Sequence, residues 1–388
     1  MNMLAHLLPF PGRPLLTTYY EYTSIFLLFP TILLVSNLLK IADLAGVRQK
    51  HKTMFTFFVA TPSFVFMLLL NWYVIGVCLT IWSLRKILEI RSNFHQDATE
   101  AKKNLIVSGA LIGLSAVTNL ITAVPALGIL SFGLDGFRER FYFAIGITAT
   151  VLAVYLPILA LNSFPHSYLN PSHVVVNYQF LFPNLNIITD FIHYEQAWYA
   201  EGSWMLAFFS STDNIRHVIF PGLFLALSLA ILLRGFQIKK NLDKIADRPK
   251  LILTSSALFM FAFLFSSYVC TPQMNLILLP FFVLVPLLRR SYAEFLAFEV
   301  VNSLVIVWGF SSPLLFLGVN ISAPVAFGSP WVSPIQFLAV VRSLWIGKFL
   351  IYDGLIRWKS AFPQFRKEST TLLVDHPLIS EEMNMKNN

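Results

Sequence analysis

An arginine inside an apolar run demands a chemical account before anything else in this chain. Arg342 lies in Phe337-Leu338-Ala339-Val340-Val341-Arg342-Ser343-Leu344-Trp345. Nine residues into the apolar span expected at 333–355, about 13 Å of helix rise, it would sit close to mid-membrane. A charge there costs at least ~2.5–3.5 kcal/mol on insertion scales, so it faces the bundle interior and needs an anionic partner. Two partners suit it. One is the phosphate of a lipid entering from the side. The other is Glu299 of a neighbouring apolar stretch, in a structural ion pair. Lys348, six residues on, would snorkel towards the nearer interface.

A second concentration of chemistry falls in residues 162–217. Asp190, Glu195, Glu201 and Asp213 stand there beside His166, His173, His193 and His217. Carboxylates and imidazoles near apolar walls serve acid–base and metal chemistry. His193 and Glu195 are two apart, a spacing that shares a metal on a strand or loop and diverges on a helix. No HExxH or paired-cysteine spacing accompanies them, so no metal site is assigned. No cofactor is specified, and a divalent cation stays open. The run Tyr199-Ala200-Glu201-Gly202-Ser203-Trp204 joins a carboxylate, a turn glycine, a hydroxyl and an aromatic. It reads either as a site or as an interfacial Trp anchor with a helix cap.

The elements that must position these groups are transmembrane helices. Of 388 residues, 56% are hydrophobic and 12% are charged, about half the charge of a soluble globular chain. Such a chain cannot cover a water-facing surface. That excludes a soluble enzyme, a coiled coil, a disordered chain and, despite a formal charge of +8, a nucleic-acid binder. Cys78 and Cys270 make no disulfide framework, and no removable signal is evident at the start. No P-loop or dinucleotide fingerprint supports nucleotide chemistry. The expected fold is all-α: a polytopic transmembrane helix bundle with short re-entrant helix pairs and an external loop cap. With about 20 apolar residues per crossing, spans are expected at 22–42, 141–161, 218–235, 251–269, 273–288, 293–312 and 333–355. Residues 1–355 would form the transmembrane domain, and 356–388 a cytoplasmic, disordered tail.

Two longer apolar stretches are interrupted. Residues 53–84 are broken by Pro62 and Asn71-Trp72, and residues 104–134 by Thr118-Asn119 and Pro125. Basic residues flank both ends of each: Arg48, Lys50 and Lys52; then Arg85, Lys86, Arg91, Lys102 and Lys103; then Arg138 and Arg140. The positive-inside rule places all of these loops, and those holding Lys239-Lys240, Arg248 and Arg289-Arg290, on the cytoplasmic side. Each interrupted stretch then starts and ends on one side. It is a hairpin of two short helices, with tips near Asn71 and Asn119, or else a long kinked helix. Backbone breaks at that depth line a wet cavity or are buried in protein, and such broken helices often mark binding sites. Residues 162–217 hold one basic residue, Arg216, together with Trp198 and Trp204. They would form a folded external cap.

Thr61-Pro62-Ser63 followed by Leu70-Asn71-Trp72-Tyr73 resembles the "SPS…NWD" hairpin of the glycosyltransferase-C superfamily, membrane enzymes that use polyprenol-phosphate sugars. Ser108 to Leu120 resembles that family's "GxLLGLAaaTK" segment. Val269-Cys270-Thr271-Pro272-Gln273 resembles its "SPQY" turn. The resemblance covers residues 10–355 and implies transfer of a sugar of mannose type from a polyprenyl-phosphate donor. The acceptor would lie on the external face, and a carboxylate would act as base. Glu21 or Glu201 would be that base. Arg342 would neutralise the donor phosphate, Asn71 and Asn119 would bond phosphate or sugar hydroxyls, and Gln273 would orient the sugar. Tyr73 stands where the family has an acid, and Asn119 where it has a lysine. The family's N-terminal catalytic loop is not expected within this sequence, which is then either N-terminally incomplete or a diverged relative. The alternative is therefore a non-catalytic subunit or lipid-binding scaffold of a membrane complex. Expected partners are the lipid-linked sugar, membrane lipid and membrane-protein subunits, with no nucleic acid. The expected location is a multi-pass position in the cell membrane or the endoplasmic reticulum membrane.

Overall fold

The computed structural model describes residues 15–45, 61, 64–65, 72–92, 97–160, 218, 220–240, 247–267, 272–285, 292–309 and 334–358. Among them there is no strand. The long helices are α1 (Leu15–Leu44), α2 (Tyr73–Ser92), α3 (Ala98–Thr118), α4 (Phe137–Ala160), α5 (Phe220–Lys240) and α6 (Arg248–Ser266). The short α7 (Leu279–Leu284), then α8 (Tyr292–Gly309) and α9 (Pro334–Lys348), follow. Segments within α1, α4, α5 and α6 are long and apolar enough to cross a membrane. The molecule is an all-α membrane helix bundle.

Two parallel helix pairs give the first half its logic. Along α1 and α2, Phe26 packs on Trp72 and Asn37 accepts a hydrogen bond from Arg85 (3.0 Å). Residue numbers rise together, so the helices run in one direction. Trp72 therefore lies back at the level of Phe26, towards the start of α1. Between α1 and α2 in sequence, Thr61 caps a helical turn: its hydroxyl accepts from Phe64 N–H at 3.4 Å and its carbonyl from Val65 N–H at 3.0 Å.

The pair α3 and α4 repeats the arrangement. Gly109 faces Phe143 and Gly146, and Gly113 faces Ile147 and Thr150. A Cβ on Gly109 would collide with the Phe143 carbonyl, and one on Gly146 with the Ile106 carbonyl. Small residues let the two backbones touch, as is usual where membrane helices pack without a hydrophobic driving force. Parallel helices joined by so short a connection require a return segment, and the chain supplies it. At Asn119 the backbone turns extended. It then descends through a 3₁₀ turn (Leu120–Ala123), a single α-turn (Ala126–Gly128) and a π-turn (Ile129–Gly133). The hairpin reading of 104–134 holds, with Asn119 at its tip.

Charges gather at one end of the bundle. Asp135, just after the return segment, pairs with Arg91 at the end of α2 (3.2 Å), Lys239 at the end of α5 (3.4 Å) and Arg248 at the start of α6. Arg91 also pairs with Glu139 and donates to the Gly133 carbonyl at 2.8 Å. These contacts bring the ends of α2 and α5, the starts of α4 and α6 and the foot of the hairpin to one level, the basic end. Helices α4 and α5 leave and rejoin that level, so Ala160 and Phe220 lie at the far end. Residues 162–217, expected to form a cap, lie between them in sequence and outside the described residues.

Two sequence expectations change. Residues 273–288 are not one crossing helix: Pro272–Ile277 is a 3₁₀ turn and α7 is only six residues. Pro272, Pro280 and Pro286 explain the break, because each ring removes a helix donor. Nor does α8 begin at the basic end. Helix α9 and the π-helical continuation Phe349–Ile356 run antiparallel to α6. Gly347 packs on Phe265, Phe349 on Phe261 and Gly354 on Leu258. Glu294, in the first turn of α8, bonds Lys348 beside that Gly347. The start of α8 is thus level with the last turns of α6, on the far half of the bundle.

Candidate functional site

Arg342 is fully buried, although α9 carries it through an apolar stretch. It lies five residues, about 7.5 Å of helix rise, before Gly347, which packs on Phe265 near the far end of α6. The guanidinium donates from Nη1 to Asn302 Oδ1 at 3.3 Å. Asn302 is fully buried, and Glu299, one turn earlier on α8, is 2% exposed.

Helices α8 and α9 run antiparallel, which turns these residues into a seam. Below the Asn302–Arg342 contact, Phe298 packs edge-on against Trp345. Next, Glu294 accepts from Trp345 Nε1 at 3.1 Å and pairs with Lys348. Lys348 Nζ is also 3.6 Å from Asp353, a buried acid in the π-helical continuation. Lys348 therefore does not simply snorkel; it is held by two acids. Outside the seam, the same helices present exposed Leu296, Val300, Leu344 and Ile351. A charged interior flanked by apolar outer faces is the arrangement expected of functional intramembrane charges. It can hold an anionic group at Arg342 while an attached hydrocarbon lies along the apolar faces.

The other expected site residues are placed differently. Asn119 is at the hairpin tip, but its Oδ1 already accepts from Ile121 N–H at 3.0 Å, capping the 3₁₀ turn. Glu21 lies in α1 and Gln273 in the 3₁₀ turn after α6; their side chains fall outside the described residues. Asn71 and Glu201 lie outside them altogether, as do His193 and Glu195. Among the described residues, no group of three His, Cys, Asp or Glu side chains is gathered as a metal would require. Asn302, Glu294, Trp345 and Asp353 were missed by sequence reading. Glu294, Phe298 and Asn302 recur at intervals of four, and that one-face spacing was the available signal.

A neutral polar network stands in the hairpin. Thr80 Oγ1 bonds Ser115 Oγ (2.8 Å) and donates to the Thr122 carbonyl (2.7 Å). Ser115 Oγ also bonds the Gly76 carbonyl (2.9 Å) and Thr122 Oγ1 (2.7 Å). Ser83 and Ser108 join α2 to α3 at 2.6 Å. At the basic end, burial alone would raise the Asp135 carboxyl, but Arg91, Arg248 and Lys239 outweigh it and hold the group below its ordinary value. Compared with protein-family models, curated proteins and solved structures, the chain matches none.

Proposed function

We propose that this chain is a multi-pass membrane protein of glycosyltransferase-C type that receives a polyprenyl-phosphate sugar at the far end of its bundle. The observation that carries the reading is the fully buried Arg342 guanidinium, on α9 just beyond the level of Phe265 at the far end of α6, between helices whose outer faces are apolar. A polyprenyl tail would lie on those faces. Its phosphate would reach Arg342 without leaving the membrane. Asn302 orients the guanidinium, whose planar fork of donors matches phosphate oxygens. Sugar transfer from such a donor needs a base at the acceptor hydroxyl, the role given to Glu21 or Glu201. Asn71 and Gln273 would meet the sugar or phosphate, and Asn119 only through its amide nitrogen. The cytoplasm would lie at the basic end and the acceptor at the far end, in a cell membrane or endoplasmic reticulum membrane.

A second reading keeps the lipid site and drops the chemistry. The engagement of Arg342 by Asn302, and of Lys348 by Glu294 and Asp353, favours it. The chain would then be a non-catalytic subunit or lipid-binding scaffold. Purified full-length protein should bind a fluorescent polyprenyl phosphate more tightly than the parent polyprenol, and Arg342→Met should remove the preference. Radiolabelled polyprenyl-phosphate mannose or glucose then separates the two readings. Turnover supports the enzyme, binding without turnover supports the scaffold, and equal binding of phosphate and alcohol removes both.

A further inference from the structure

The parallel packing of α3 and α4 brings the starts of both helices side by side at the basic end. Exposed Lys102 and Lys103 stand on α3, and exposed Arg138 and Arg140 on α4. Lys102 Nζ lies 4.9 Å over the Tyr142 ring, which ties the two groups of cations together. The nearby acids are mostly engaged inwards. Glu139 is held by Arg91 and by the Asp135 N–H, and Asp135 by three cations. Among the described residues, Asp97 and Glu100 are the exposed acids at the start of α3. Among the described residues Lys103, Arg138 and Arg140 enter no ion pair.

Beside the cations, Phe137 (83% exposed) and Phe141 (53%) stack with centroids 6.3 Å apart. Phe141 continues into the exposed apolar face of α4 through Ile145, Leu152 and Leu156. The cations therefore sit at the border where apolar surface ends. A soluble acidic protein would find charge there but would leave the long apolar face of α4, through Ile145, Leu152 and Leu156, uncovered. A phospholipid matches both, with acyl chains on the α4 face, ring edges among the glycerol groups and an anionic headgroup under the arginines and lysines.

We propose that the foot of the α3–α4 pair, formed by Lys102, Lys103, Arg138 and Arg140 around Phe137 and Phe141, is a binding site for an anionic phospholipid headgroup. It is independent of the site at Arg342 and of the sugar chemistry. Each cation near an anionic surface strengthens binding about fivefold, so their joint removal is readily measured.

The test uses the full chain, stripped of lipid in detergent and equilibrated with equal amounts of phosphatidylcholine and phosphatidylglycerol. Retained lipid is counted by native mass spectrometry. Phosphatidylglycerol should be retained preferentially, with the preference falling at least about fivefold in K102Q/K103Q/R138Q/R140Q. The milder pair R138Q/R140Q should show a smaller loss and guards against misfolding of the quadruple variant. A control, K40Q/K240Q, removes exposed cations elsewhere and should keep the preference. No preference in the unmodified chain, equal loss in the control, or displacement of lipid by poly-glutamate at matched charge would overturn the proposal.

Discussion

The hairpin at α2–α3 and the seam at α8–α9 both bury polar groups among apolar helices, yet with opposite chemistry. In the hairpin the groups are neutral hydroxyls, Thr80, Ser83, Ser108, Ser115 and Thr122, bonded to one another or to carbonyls. Such bonds contribute modestly each, about 0.6 kcal/mol on average between membrane helices, and desolvate no charge. Their use is geometric: they hold a short, mixed 3₁₀, α and π return against two long helices. In the seam the buried groups are Glu299, Asn302, Arg342 and Asp353, with partly exposed Glu294 and exposed Lys348 beside them. Burying ions is expensive even when they are paired. Neutral groups suffice to hold a bundle together, so a charged seam points to a task beyond packing.

The sharpest way to break the comparison is to attack packing itself. Gly146→Leu forces side-chain atoms into the Ile106 carbonyl and should abolish folded, monodisperse protein, as read by size-exclusion chromatography in detergent. Next in size is the seam. Arg342→Ala leaves a cavity at a fully buried position and strips Asn302 of a charged hydrogen-bond partner, roughly 3–5 kcal/mol together, so it should strongly lower the thermal midpoint. The double variant Arg342→Met/Asn302→Leu should recover most of that stability. It should not recover preference for polyprenyl phosphate over polyprenol. Recovery of both would mean that the seam is structural only.

Ser115→Ala should be milder, about 1 kcal/mol, because Thr80 and Thr122 keep other partners; equilibrium unfolding in a denaturing detergent would measure it. A loss as large as that of Arg342→Ala would erase the contrast between the two regions. The smallest effect belongs to the partly exposed Asp135 network. Its folded pKa is lowered, so its contribution is complete above the unfolded value and fades as pH falls through the folded one. The thermal midpoint of the native chain should therefore drop more steeply below about pH 4 than that of Asp135→Asn.

Much of the architecture was legible because lysines and arginines are expensive to bury and so mark levels. Arg91, Lys239 and Arg248 converge as their positions along the chain demanded, and that convergence implies the Asn119 hairpin. Proline-rich 272–286 misled, since its hydropathy matches a crossing helix while its rings forbid one. Arg342 was recognised as requiring a partner, but its depth depended on pairing between α9 and α6, which no local pattern encodes. Glu294 and Asp353 escaped notice because each looks like an ordinary boundary charge until Lys348 brings them together.

The doubling-back at Asn119 carries a lesson for anyone mapping this protein by inserted reporters. Residues 98–133 look like one traverse in a hydropathy plot but amount to an ascent and a descent, leaving the net count unchanged. An inventory that scores the stretch as a single passage flips the parity of every segment after it. Such an inventory would disagree with a phosphatase or fluorescent reporter fused in the 162–217 region.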